Sequence, residues 1–509
     1  MTRIILKSIK ELNNWRNSLK KNINFVPTMG NLHEGHKKLI KKASSLYSNS
    51  TLVSIFLNPL QFDNKEDLKN YPKTFVKDIE IACESGANAI FIPSVNEIFP
   101  NHNDNIIFLK ASKELSSSLC GIKRVGHFDG VCTVVNRLLD LINPETIFLG
   151  EKDWQQLIII REMIKQKRLP VKVYSFPTVR DISGIPFSSR NSLLSDEGLE
   201  KLKFFSKELL DTQKLFTITK KLDLKKLQKK LKGNNLSIEY LEHVNSDNLK
   251  TADSSKNITL LAGAIVCDNT RLIDHVFLMK RKPIIAIDGP AGSGKSTVTK
   301  IIAKELDLLY LDTGAMYRAL SWFLTTENIN YNDNNELVKC LNNLSIYFIS
   351  NGNSEQDIFI NNLCVTNKIR TQEINSIVSS IAAISAVRNF LVSEQRKIGE
   401  VGGLVAEGRD IGTKVFPSAE LKIYLTASIN ERARRRKLEL ENKGYLDLNF
   451  EDIKDQITKR DNDDSTRLIS PLTKSKDAIE VISDNFSIQE IVEIIKEIYN
   501  EKIPKEIQT

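Results

Sequence analysis

The stretch FVPTMGNLHEGHKKL, residues 25–39, passes from a β-branched apolar run through a Thr-Met-Gly turn into a charged segment with helical spacing. It reads as a strand, a tight turn and the first turns of a helix. His33 and His36 stand at that helix start. On spacing alone they are either ordinary polar residues of a first turn or ligands. A structural zinc site needs about four ligands and a catalytic one about three, yet neither an H-E-x-x-H pattern nor a cysteine stands beside them. Phosphate suits the placement better, because the free N–H groups and positive dipole end of a helix attract anions. Gly30 and Gly35 would let a nucleotide approach the backbone.

Outward from this stretch the rhythm repeats. The runs TLVSIFLN, NAIFIP and ETIFLG alternate with charged, helix-like segments, which predicts a parallel sheet covered by helices, a Rossmann-like layer over residues 1–180. From 181 to 279 the pattern changes. A Lys- and Leu-rich stretch from Asp196 to Lys232 has helical spacing, and SIEYLEHVN and ITLLAGAIVC read as strands, so a small α+β subdomain is expected. Near Lys280–Pro283 a second α/β domain begins, assigned here to residues 280–509. Its strand PIIAI leads into GPAGSGKST, residues 289–297, and then a helix, the context that the phosphate-loop pattern G-x-x-x-x-G-K-[ST] requires. The loop Gly289, Pro290, Ala291, Gly292, Ser293, Gly294, Lys295, Ser296 and Thr297 would cradle phosphates with its backbone N–H groups, which every residue but Pro290 supplies. Lys295 would reach the β and γ groups and Ser296 would ligate Mg2+.

Composition narrows the classes. A chain of 509 residues exceeds one ordinary core, and 41% apolar residues can fill more than one. No run approaches the roughly 18 apolar residues of a membrane span, and no secretion signal opens the chain, so a cytoplasmic protein without a membrane partner is expected. The six cysteines lie far apart and read as reduced thiols. A net charge of +9 suits either nucleic acid or several anionic phosphates. All six histidines (33, 36, 102, 127, 243 and 275) precede residue 280, so the second half must work without imidazole. That half also lacks GTPase motifs, since DISG (181–184) and NKED (64–67) precede the phosphate loop. LKIYLTAS (421–428) ends without the acidic pair of a nucleic-acid motor. A small-molecule kinase remains.

PTMGNLHEGH is similar to the nucleotide-binding signature of pantoate–β-alanine ligases, within the H-x-G-H adenylyl-transfer superfamily. IFLNPLQF (55–62), YPKT (71–74), GHFDGVCTVVNRL (126–138), FLGEKDWQQL (148–157), PTVRD (177–181) and FSSRN (187–191) follow that family's blocks in order. Leu60, Phe187 and Val125 depart from it, apolar for apolar in each case. The resemblance implies that pantoate is activated by ATP as pantoyl adenylate and then captured by β-alanine, giving pantothenate, AMP and pyrophosphate. It implies ATP contacts from Met29, Gly30, Asn31, Leu32, His33, Glu34, Gly35, His36, Gly150, Glu151, Lys152, Asp153, Val179, Phe187, Ser188, Ser189 and Arg190. His36 is the expected proton donor, with His33, Lys152 and Arg190 as further catalytic groups. Gln61 and Gln156, with Asn58 nearby, would hold pantoate, and Asp78 would hold Mg2+. His127 is expected to be a buried, hydrogen-bonded histidine. The family also implies a homodimer formed through this half.

LDTGAMYRAL (311–320), IRTQEI (369–374), SAVRNFLVSEQR (385–396), EGRDIGT (407–413), INERARRRKLEL (429–440) and RDNDDSTRLISPL (460–472) likewise resemble cytidylate kinases. That resemblance implies phosphoryl transfer from ATP to CMP or dCMP. Thr313, Arg318, Arg409 and Arg467 would grip the CMP phosphate. Ser379, Arg388 and Asp410 would read the base, and Arg460 and Asp464 would hold the ribose. Arg432 and Arg436, four apart, are expected to close on ATP as a lid. ATP with Mg2+ is the expected cofactor set, with no zinc, no organic prosthetic group and no nucleic acid. Two rivals remain at this point: an aminoacyl-tRNA-synthetase-like or cytidylyl-transferring enzyme for the first half, and a nucleic-acid-binding regulator whose folds have lost catalysis for the whole.

Overall fold

Runs rich in Val, Ile and Phe without polar alternation are buried on both faces, as strands of a parallel sheet must be. The computed structural model describes residues 4–46, 48–100, 108–350, 356–442, 444, 448–467 and 469–508; His102 lies outside them. The chain forms two compact units, Met1–Lys280 with Ile503–Thr509, and Arg281–Lys502. The residues from Ile503 onward, read from sequence as the end of the second half, thus group with the first unit.

In the first unit β1 (Ile4–Leu6), β2 (Ile23–Thr28), β3 (Ser50–Ile55), β4 (Ala89–Phe91), β5 (Thr146–Gly150) and β6 (Lys172–Phe176) form a parallel sheet in the order β1-β4-β3-β2-β5-β6. Val26, Ile40, Val53, Ile90 and Phe148 fill one of its faces. The chain moves outward from β2 through β3 to β4, then returns to place β5 on the other side of β2. The switch point therefore lies between the C-terminal ends of β2 and β5, where a doubly wound sheet opens a crevice for ligands. The Met29–His36 and Gly150–Asp153 segments leave the sheet there. A helix at Asp196–Thr219, started by Ser195 accepting from Gly198 N–H, packs with the helix Leu224–Gly233 on an antiparallel sheet of β7 (Ser237–Asn245), β8 (Ile258–Cys267) and β9 (Thr270–Met279). Phe205, Leu209, Leu241, Leu261 and Leu278 form its core.

The second unit is a parallel sheet of β10 (Ile284–Asp288), β11 (Leu309–Asp312), β15 (Leu404–Gly408), β16 (Leu421–Thr426) and β17 (Ile479–Ile482), ordered β11-β15-β10-β16-β17. A small antiparallel sheet of β12 (Ile346–Ser350), β13 (Gln356–Ile360) and β14 (Leu363–Cys364) belongs to the same unit. The central strand β10 ends in the phosphate loop. Gly289 there has φ +151°, and a Cβ on it would lie 2.0 Å from the Leu425 carbonyl, so the tight exit from the strand requires glycine. All six cysteines are free. Among the described residues no single helix is long and apolar enough to cross a membrane.

Candidate active sites

The first cleft is built on β2. Beyond its end Gly30 turns the backbone at φ +87°, where a side chain would meet Asp78. Asp78 is 1% exposed, and its carboxylate accepts from the N–H groups of Asn31 (3.0 Å) and Leu32 (2.7 Å) and from Thr74 Oγ1 (3.1 Å). It shapes the loop and does not line the cleft. The Mg2+ role expected for it does not fit this geometry, because its oxygens are occupied by loop donors.

The loop delivers His33 and His36 to the start of the helix Glu34–Ser45, where they cap it reciprocally. His33 Nδ1 accepts from Gly35 N–H (3.2 Å), and His36 Nδ1 accepts from His33 N–H (3.4 Å). An accepting Nδ1 carries no proton, so both neutral rings hold their proton on Nε2. The rings lie 4.0 Å apart between centroids. Burial pushes His36 down to about 4, with Lys152 lowering it further against Asp153. Burial, then His36 and Lys152, push His33 down to about 2. The helix start thus offers two uncharged N–H donors among cations.

Met29, Gly35, Asn58, Gln61, Gly150, Lys152, Asp153, Gln156, Val179, Phe187, Ser188, Ser189 and Arg190 line the same cleft as the histidines. Asp153 is half-exposed at the cleft; desolvation by the cleft walls pushes its carboxyl up, but Lys152 (3.6 Å) and Arg190 outweigh this and hold it below its ordinary value. Arg190 pairs with Asp67 at 2.9 Å. Asn58 is buried and donates to Gln61 Oε1 (3.0 Å) and to the Gly130 carbonyl (3.2 Å), so it orients the Gln61 amide. The backbone carbonyl of Gln61 accepts from His127 Nδ1 (2.7 Å) and Arg124 (3.0 Å). His127 is buried and hydrogen-bonded, and lines an adjoining cavity that shares Gln61, Gln156, Lys152 and Arg190.

Gly30, Asn31, Leu32 and Glu34 form the loop and helix start without lining the cleft. Asn31 ties to the FSSRN block, donating to the Ser189 carbonyl at 2.8 Å. Glu151 is fully buried and faces Ser175 and the backbone of Lys505 and Glu506. Two further lining residues, Tyr71 and Thr178, escaped the sequence reading as site residues, although both lie inside quoted blocks.

In the second unit the Lys295 ammonium curls back to the Pro290 carbonyl (2.6 Å) and Ser293 Oγ (3.4 Å). Burial, with Arg409, pushes it well below its ordinary value against Glu407 and Asp288. Such a lysine gains most from an arriving polyphosphate. Asp288 accepts from Ile411 and Gly412 N–H groups at 2.7 Å each, and burial pushes it up to about 6. It fixes the EGRDIGT turn beside the phosphate loop. Thr313 Oγ1 donates to the Glu407 carbonyl (2.6 Å), and Arg318 pairs with Asp312 (3.3 Å). Arg388 and Asp410 form a buried pair (2.7 Å). Arg409 pairs with Asp464 (2.9 Å), with Arg467 3.7 Å from that same carboxylate.

Burial and Arg388 press Arg467 down, and Arg460 shares its field with Arg409, Asp464, Arg318 and Arg436. Like charges gathered this closely favour an anion among them. Ser379 is exposed on the helix Gln372–Ala383, with no hydrogen bond to the Arg388–Asp410 pair among the described residues.

The two lid arginines separate. Arg432 is buried, bound to the Ala291 and Ala427 carbonyls and to Asp461 (2.5 Å), so it braces the phosphate loop from behind. Arg436 is exposed and pairs with Glu439 of its own helix at 2.7 Å. Arg435, which the sequence reading missed, reaches the Ser293 carbonyl (3.4 Å) and Ser483. Among the described residues no group of three or more His, Cys, Asp or Glu is placed to hold a metal.

The pantoate–β-alanine ligase family model matches residues 4–277 and the cytidylate kinase model residues 285–501. A bifunctional pantoate ligase/cytidylate kinase from Prochlorococcus marinus subsp. pastoris (strain CCMP1986 / NIES-2087 / MED4) is 63% identical over all of both chains. One from Prochlorococcus marinus (strain MIT 9312) is 60% identical, again over all of both. A solved pantothenate synthetase from Thermus thermophilus is 32% identical, covering 54% of this chain and 98% of its own, with a TM-score of 0.49. Two units matched in order by two enzyme families, and end to end by relatives that carry both, place this chain in the family of bifunctional pantoate ligases/cytidylate kinases.

Proposed function

We propose that the cleft at the β2–β5 switch point makes pantothenate and that the phosphate loop after β10 serves a (d)CMP kinase, each with its own ATP. The observation that carries this reading is the pair of Nε2–H donors fixed at one helix start while the second unit holds lysine and arginines but no histidine.

In the first site the pantoate carboxylate attacks the α-phosphorus of ATP, and pyrophosphate leaves. Charge grows on the α-phosphate oxygens during this step, and donors already in place stabilise it without reorganising. His33 and His36 supply those donors, with His36 the one that follows the charge most closely. Lys152 and Arg190 offset the departing pyrophosphate, with Ser188 and Ser189 beside them. Gln61, held by Asn58, and Gln156 orient pantoate without adding charge. The amine of β-alanine then attacks the acyl carbon, the acyl–phosphate bond breaks, and AMP leaves.

In the second site the acceptor is a phosphate whose second pKa is about 6, so it arrives ionised and needs no base. Positioning and charge neutralisation suffice. Lys295 and the loop N–H groups hold ATP. Thr313, Arg318, Arg409 and Arg467 hold the acceptor phosphate, Arg388 and Asp410 the base, and Arg460 and Asp464 the ribose. Ser296, near the buried Glu407 carboxylate, offers a hydroxyl oxygen of the kind that suits Mg2+. When bound, Mg2+ neutralises charge on the β- and γ-phosphates. A homodimer through the ligase half and a cytoplasmic location complete the proposal.

Substrate omission tests it. Purified protein should release pyrophosphate only when pantoate is present, AMP and pantothenate together only when β-alanine is added as well, and ADP only with CMP or dCMP. Pyrophosphate release driven by amino acids in place of pantoate would refute the ligase reading.

A further inference from the structure

The polypeptide leaves the first unit after Lys280 and returns to it at Ile503. The returning segment is anchored. Ile503 and Ile507 are buried, and Gln508 Nε2 bonds back to the Ile503 carbonyl (2.6 Å), closing the turn. Two glutamates then clasp in opposite senses. Glu151, from the body of the unit, accepts from the N–H groups of Lys505 (2.7 Å) and Glu506 (3.0 Å). Glu506, from the tail, accepts at Oε1 from Thr178 N–H (3.1 Å) and lies 3.7 Å from His275 Nε2. Asp274 is beside them, and Arg180, its bidentate partner at 2.8 Å, is the nearby arginine. Burying this many carboxylates around one guanidinium is costly.

The clasp falls at a telling place. Glu151 sits between Gly150 and Lys152, and Thr178 precedes Val179; Gly150, Lys152, Thr178 and Val179 all line the histidine cleft. A tail that only tethered the second unit could dock anywhere on the first. This one bonds to the two segments that flank the proposed ATP contacts.

We infer that the C-terminal segment from Ile503, encoded after the kinase half, completes the ligase site, and that Glu506 is a positioning residue for ATP in the adenylation step. The inference rests on the ligase reading above. Without the tail, Glu151 loses two backbone donors, Thr178 N–H loses its acceptor, and both lining segments are released together.

The test uses the full-length chain carrying Glu506→Ala or Glu506→Gln, and a chain ending at Lys502. Ligase kcat and the separate KM values for ATP, pantoate and β-alanine are measured, with CMP kinase activity as the internal control. Glu506→Ala should raise the ligase KM for ATP about tenfold, the worth of one charge-assisted hydrogen bond, and leave the KM for β-alanine unchanged. Glu506→Gln keeps the acceptor for Thr178 N–H and should recover most of that loss. Kinase kcat/KM should stay within about twofold in all three, since none of these groups touches its site. The chain ending at Lys502 should lose ligase activity and regain it with a synthetic IPKEIQT peptide, and an IPKAIQT peptide should restore much less.

Unchanged ligase kinetics in both Glu506→Ala and the truncated chain would overturn the inference. So would a uniform loss in kcat and all three KM values that Glu506→Gln shares and the peptide does not rescue, because that marks a purely structural role. If the unaltered chain forms no pantothenate, it is the ligase reading that fails.

Discussion

Replacing Asp78 by alanine should disable one activity and spare the other. Its carboxylate takes three donors: the N–H groups of Asn31 at 3.0 Å and Leu32 at 2.7 Å, and the Thr74 hydroxyl at 3.1 Å. The two backbone groups have nowhere else to go, and an orphaned buried donor costs about 1–3 kcal/mol. Water entering the space left by the side chain offsets part of this, so a loss of about 2–4 kcal/mol in the loop's preferred geometry is expected. That loop aims both imidazoles. If the whole loss appears in the transition state for adenylation, ligase kcat/KM for ATP falls by roughly 30- to 1000-fold. The assay is pantoate-dependent pyrophosphate release by the full-length variant, with CMP kinase turnover measured on the same preparation and expected to be unchanged. A Mg2+ titration separates this account from a metal-ligand role for Asp78. Loop shaping leaves the half-saturating Mg2+ concentration where it was, whereas loss of a metal ligand raises it. Ligase kinetics within about threefold of the unaltered chain, well below the 30-fold lower bound, would refute the reasoning.

Other expectations concern charge. His36 is pushed down to about 4 and His33 to about 2 from an ordinary 6.5. A histidine whose folded pKa is depressed favours folding while neutral, so its contribution is present above the unfolded value of about 6.5 and is lost as pH falls from there toward the folded pKa. Thermal unfolding of the first unit should therefore drop to lower temperature between about pH 6.5 and 4, and a His33→Gln/His36→Gln variant should show a shallower drop. Ligase kcat/KM for ATP, which reports the free enzyme, should show no histidine-like break near pH 6.5; a break there would mean that the rings work as cations. In the kinase unit, Arg432→Ala leaves the half-buried Asp461 and the Ala291 and Ala427 carbonyls without their donor and should destabilise that unit by about 2 kcal/mol in denaturant unfolding. Arg436→Ala, removing an exposed side chain, should leave stability within about 0.5 kcal/mol while raising the kinase KM for ATP. Equal unfolding midpoints for the two variants would contradict the bracing role of Arg432.

Most of the sheet was legible because parallel strands are continuous apolar runs, and β2, β3, β5 and β10 each lead into a loop of recognisable chemistry. β1 (Ile4–Leu6) and the β12–β14 sheet escaped the reading, since none of these strands leads into a loop of recognisable chemistry. The site was legible where its chemistry is local, as in the two histidines and the phosphate loop. It was less legible where a role depends on direction. Asp78 and Glu151 are acidic residues expected at the site, yet both face backbone donors and not the cleft, and sequence carries no sign of which way a carboxylate turns. Arg432 and Arg436 share a helix and a spacing of four, but the depth of burial that separates them comes from the packing of Asp461 and Ala291 against one of them. The return of Ile503–Thr509 to the first unit had no local signal, since partners more than 300 residues away in sequence decide it.

The central claim is that one chain holds two ATP sites that work on different bonds. The most direct measurement is a crossed pair of full-length variants assayed for both products. Lys295→Ala should abolish CMP-dependent ADP formation and retain pantothenate synthesis with AMP release. His33→Ala/His36→Ala should do the reverse. If either variant loses both activities while staying folded, the two-site account is contradicted.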